Sequence, residues 1–161
     1  MIGNIKIIAV CMCKVYDERN YRIIRALNNF AVENDYRLFV YHTCSDLYWK
    51  TLSEKGEQSV FDLIDYNITD AVVTFEEGVY AEDVMTKIRM DAAEYGKPVI
   101  SVGVEHDDCI SIKFDYAKGF EQVVRHVIEQ HGVRDIGFIA GRKDEENSEE
   151  RIAVFRCLLL R

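Results

Sequence analysis

Few side chains in this sequence are spaced for covalent chemistry. Cys11-Met12-Cys13 places two thiols on one face of a strand. That is not a zinc spacing, and it suits small buried hydrophobes. His42 and Cys44 flank Thr43 and share a face, yet no third residue stands by to orient the imidazole as a nucleophile's base requires. His126 falls on the polar flank of a helix and His131 at that helix's carboxyl end, where positive charge suits the dipole. The 28 carboxylates avoid the apolar runs in which burial would prepare one for general acid work. The loop "KVYDERNY" (14–21) has no glycine and cannot cradle a pyrophosphate, and no phosphate-binding lysine loop occurs elsewhere. Phe75-Glu76 and Cys13 stand where a phosphoacceptor domain would carry its aspartate and acidic pair. No catalytic residue, metal ligand or cofactor is therefore nominated, and the chain is read as a non-enzyme.

The elements that would position a binding site are clearer. Short β-branched runs, apolar on both faces, occur at 5–13, 37–44, 70–75, 97–104 and 135–141 ("DIGFIAG"). Such runs suit strands of a parallel sheet covered by helices on both sides. An extra short strand fits at 109–114, "CISIKF". Between them lie amphipathic helices carrying Ile23, Ile24, Leu27, Phe30 and Ala31, then Val60, Phe61 and Ile64, then Val84, Met85, Ile88 and Ala92. A fourth carries Phe120, Val123, Val124, Val127 and Ile128 and closes on His131-Gly132. A fifth, with Ile152, Phe155, Leu158 and Leu159 on one side, is expected to start near Asn147, which has capping-box spacing to Glu150. Five βα units of this length predict a doubly wound, mainly parallel five-stranded α/β sheet of order 2-1-3-4-5. Ligands of such sheets bind beyond the carboxyl ends of the strands. The loops there are the place to look for function.

With 161 residues the chain can bury a real core, and 48% hydrophobic content marks it as globular. A formal net charge of -8 repels phosphate backbones and anionic lipid, which argues against nucleic-acid or membrane-surface contact by this segment. Five cysteines without framework spacing indicate reduced thiols. No secretory signal or membrane span is read, so a cytoplasmic location is expected.

Residues 115–155, "DYAKGFEQVVRHVIEQHGVRDIGFIAGRKDEENSEERIAVF", resemble the effector-binding core of the lactose-repressor/galactose-repressor family, with its type I periplasmic-binding-protein fold. The likeness rests on Asp115, Gly119, the run ending at Gly141, then Arg151 and Phe155. The opening strand and helix are similar to the family's as well. Val154 departs from the family's glycine before the aromatic, the helix ends in "HG" rather than "GH", and the proline that commonly follows the first strand is missing.

The resemblance implies that residues 1–161 form the N-terminal lobe of a bilobal small-molecule sensor, the second lobe and output domain lying outside the chain. It implies a sugar-like or nucleoside-like effector, a homodimer, and Arg151 as a hydrogen-bond donor to the effector. Further lip candidates are Tyr16, Asp17, Tyr21, Glu76 and Asp115. Tyr21 as a packing residue and Asp115 as a helix cap are the plainer alternatives. Since Met1 abuts the first strand, a downstream output domain such as a diguanylate cyclase is expected. A repressor core without its helix-turn-helix and a transporter's solute-binding protein are the alternatives.

Overall fold

The computed structural model describes residues 5–77, 79–141, 143 and 145–159. The chain divides into two compact units, Met1–Lys113 and Phe114–Arg161.

The first unit is built on β1 (Lys6–Cys13), β2 (Tyr36–Thr43), β3 (Ala71–Phe75), β4 (Val99–Val102) and β5 (Ile110–Ile112). All neighbours are parallel, in the order β2-β1-β3-β4-β5. The expected order is thus observed, but the fifth strand is the short run at 110–112 and not "DIGFIAG". β4 and β5 are joined by the loop 103–109 with no helix between them. A loop this short suffices because a three-residue strand rises only about 10 Å before the chain must return.

α1 (Glu18–Glu33) links β1 to β2, and α2 (Leu52–Gln58) with a 3-10 turn (Ser59–Leu63) links β2 to β3. α3 (Glu82–Glu94) links β3 to β4. Right-handed crossovers that run outward from β1 to β2, then back across to β3 and β4, place α1 on one face and α2 and α3 on the other. Strand alternation agrees. Ala9, Cys11 and Cys13 join Leu47, Phe61, Ile64, Tyr66, Met85, Ile88 and Ala92 in one core, while Val10 and Met12 are buried outside it. Burial, the largest cause, pushes the Cys13 thiol up to about 11, against a lowering hydrogen bond from Thr43. Cys11, almost wholly enclosed, is raised further, with the Glu76 charge adding to burial. All five cysteines are unpaired thiols.

The second unit contains α4 (Tyr116–Glu129) and α5 (Glu146–Leu159). The segment 135–141 between them is irregular and largely exposed, with Ile139 at 97%. A strand needs a neighbour to receive its backbone groups, and no described strand pairs with this one. Phe138 holds the segment instead, between Phe120 of α4 at 5.2 Å and Phe155 of α5 at 4.8 Å. α5 starts one residue earlier than expected, and Glu145 rather than Asn147 receives its first amides, from Ser148 and Glu149, both at 2.9 Å. The expected close of α4 is observed, Gly132 taking φ +66°. Among the described residues no helix is long and apolar enough to cross a membrane.

Candidate functional site

β1, β2 and β3 end side by side, so three loops gather at one edge of the first unit. The loop after β1 begins at Lys14, whose φ of +49° turns the chain sharply off the strand. Asn20 secures that turn by donating its amide to the carbonyls of Cys13 at 3.0 Å and Lys14 at 3.1 Å. The turned Lys14 reaches Asp46, after β2, at 2.8 Å. Each member favours the other's charge: their hydrogen bond is the main cause that raises Lys14 and lowers Asp46. The Asp46 carbonyl accepts from Tyr80 N–H, after β3, at 3.0 Å. Arg19 of α1 pairs with Glu77 at 2.8 Å. Residues far apart in sequence are thereby tied into one rim.

Aromatic rings line that rim. Tyr16 is 80% exposed, its ring edge-on to His42 at 5.4 Å. Tyr48 packs edge-on against Trp49 at 4.5 Å and Tyr80 at 5.3 Å. The loop carrying Tyr48 and Trp49 is held from both ends. Leu47 is fully buried at φ +62°, and Lys50 turns at φ +53°. Glu54, 5% exposed, accepts from the N–H groups of Trp49 at 3.2 Å and Thr51 at 2.9 Å, closing a capping box at the start of α2. Because one carboxylate satisfies both amides, Glu54→Ala should cost about 2 kcal/mol, measured by urea unfolding.

Below the rim lies a charged cluster whose central pair, Glu76 and Arg89, is buried. Glu76 follows β3 and is 7% exposed. It accepts from Thr74 at 2.7 Å, Ser101 at 3.2 Å, His106 Nε2 at 2.9 Å and Arg89 at 3.0 Å through each oxygen. Arg89, equally buried, also donates to Thr86 at 3.1 Å, and its Nε lies 3.7 Å from Asp108. A hollow of about 480 Å³ beside Arg89, lined by Met90, Pro98, Val99 and Asp107, opens on the flank of the sheet rather than at the rim.

The expected site residues fall into three groups. Tyr16, Asp17 and Tyr21 stand together and exposed where β1 passes into α1, Asp17 as the N-cap residue without a side-chain capping bond. Glu76 does not stand at the lip as expected: its oxygens are already taken by five internal donor contacts, and it serves the cluster beneath. Asp115 and Arg151 belong to the second unit. Asp115 caps α4 through Lys118 N–H at 2.8 Å, and Arg151 Nε donates to the Asn147 carbonyl of its own helix at 2.8 Å. Lys14, Asp46, Tyr48, Trp49 and Tyr80 were missed in the sequence. Their types fit no motif, and the one available signal was a lone tryptophan in a polar loop.

No family model and no curated protein matches the chain, but solved structures do. The transcription regulator CcpA of Lactococcus lactis is similar at 20% identity and a TM-score of 0.68, over 96% of this chain and 53% of that one. A LacI-family regulator, CcpA from Weissella paramesenteroides with bound glucose, matches at 14% identity and a TM-score of 0.67, over 96% and 54%. Another, from Lactobacillus casei with bound sucrose, matches at 14% identity and a TM-score of 0.63, over 96% and 53%. The chain spans about half the length of the solved chains it matches. Its sheet order and crossovers, together with these likenesses, give it the fold of the periplasmic-binding-protein-like domain of lactose-repressor-type regulators.

Proposed function

We propose that the chain is one lobe of a sensor that binds a sugar-like effector at the rim beyond β1, β2 and β3. The observation that carries this reading is the convergence of three post-strand loops on one rim of hydroxyl-binding and aromatic side chains. It is supported by neighbours of this fold that hold glucose and sucrose. Closure of a second lobe over the effector would shift the population of a cytoplasmic homodimer and so signal to a separate output domain, such as a diguanylate cyclase. The acidic chain itself makes no nucleic-acid contact in this scheme and catalyses nothing. Tyr16, Asp17 and Tyr21 are the effector contacts retained from the sequence.

A thermal-shift panel of neutral mono- and disaccharides tests the proposal. A saccharide at a hundred times its Kd stabilises by about 2.7 kcal/mol, which for a chain of this size raises the melting point by about 5–10 °C. A flat response across the panel would overturn the reading. Tyr16→Ala in the full-length protein should lose most of that rise while keeping the ligand-free melting point, since the ring is 80% exposed. An undiminished rise would remove Tyr16 from the site.

A further inference from the structure

Trp49 is 76% exposed, although burying such a ring is among the largest apolar gains a fold can make. Its exposure does not come from a slack loop. Leu47 anchors one side with no exposed surface, and the buried Glu54 carboxylate grips the Trp49 amide. Leu47 and Lys50 both sit in the left-handed region without being glycine. Backbone strain of that kind costs about 1–3 kcal/mol per residue and persists only where the surroundings over-determine it, often at ligand clamps. Tyr48 then braces the indole edge-on at 4.5 Å, so the ring is presented as a fixed plate.

Three residues earlier on the same loop, Asp46 is paired with Lys14 at 2.8 Å, both only part-covered. A carboxylate keeps acceptor sites after one such bond, and an ammonium keeps donors. The pair thus offers complementary partners to a hydroxyl that must both donate and accept, and it adds no net charge. A neutral polyhydroxylated ring fits this combination, its C–H face on the indole and its hydroxyl edge on the pair. A phosphorylated sugar would find the Lys14 ammonium already neutralised by Asp46, in a chain of net charge -8.

We infer that Trp49 is the stacking platform for the effector and that Asp46 with Lys14 reads the hydroxyls of a neutral saccharide. This deepens the sugar-sensing proposal and rests on it. Trp49 is the one tryptophan of these 161 residues, and the emission lost in Trp49→Phe identifies its own contribution.

The experiment titrates the full-length protein with the saccharide that raises its melting point, following both indole emission and thermal stabilisation. The emission is expected to shift with the same midpoint as the stabilisation. Trp49→Ala should raise Kd at least about tenfold and leave the ligand-free melting point near wild type, whereas Trp49→Phe should restore most of the affinity. Leu63→Ala, another exposed apolar residue, should bind as wild type. The 6-phosphate of the same sugar should bind more weakly.

Stabilisation without any emission change, with Trp49→Ala binding as tightly as wild type, would overturn this inference and leave the sensing proposal standing. Tighter binding of the phosphate would overturn the neutral assignment. If no saccharide stabilises the wild type, the sensing proposal falls and this inference falls with it.

Discussion

Glu76→Ala is expected to remove about 3–5 kcal/mol from the stability of the β-sheet unit. The carboxylate is 7% exposed and serves Thr74, Ser101, His106 and Arg89 at once. Truncation leaves the buried guanidinium with only the exposed Asp108, 3.7 Å from its Nε, as countercharge, and desolvating a poorly paired ion costs more than the pair itself contributes. Glu76→Gln keeps an acceptor and should lose roughly half as much. The double variant Glu76→Met, Arg89→Met removes both charges and should be nearer wild type than either single change. Urea unfolding followed by circular dichroism reads all four proteins. Single-variant losses below about 1 kcal/mol would mean that the cluster is open to water. Because His106 and Asp108 belong to the loop 103–109, the same cluster fastens the β4–β5 connection to the sheet.

Gly103→Ala should be nearly as damaging, by about 2–5 kcal/mol. Gly103 takes φ +103°, a conformation that side chains rarely adopt, and its N–H completes the β4–β5 connection by donating to Ile112 at 2.8 Å. A Cβ there would meet Glu77 Cβ at 2.6 Å and Glu77 N at 2.9 Å. Backbone cannot swing aside as a long side chain can, so the loop after β3 must shift. That loop carries the Arg19 partner and Tyr80, and so supports the rim. The variant is therefore expected to lose effector binding as well as stability. Thermal melts with and without the stabilising saccharide measure both. A Gly103→Ala protein that melts within about 2 °C of wild type would contradict the argument, since a loss of that size lowers the melting point by about 4 °C or more.

The sheet was legible because its signal is local. Each of 5–13, 37–44, 70–75 and 97–104 is an apolar run too short for a helix, and helical periodicity between such runs leaves little choice but parallel order. The error at 135–141 has the same root. "DIGFIAG" has a strand's composition, but pairing is a property of two segments, and the neighbour it needs lies nowhere in its own sequence. The shorter run at 110–112 won the sheet edge because the loop 103–109 could place it in register with Ile100 to Val102. Glu76 was expected at the lip only because it follows the third strand, and its distance in sequence from Arg89, Ser101 and His106 hides a separation of about one hydrogen bond.

What the amino-acid sequence determined by itself was the fold class and the strand order. These follow from hydrophobic period and connection length, which are read within one element and its neighbours. The rim was decided only by tertiary structure. Lys14 meets Asp46 and Tyr48 meets Tyr80 across more than thirty positions. Trp49 is held out in solvent by a buried leucine and a glutamate carboxylate. Nothing in the order of residues carries that information, because a polar contact depends on where three separate chain reversals happen to end.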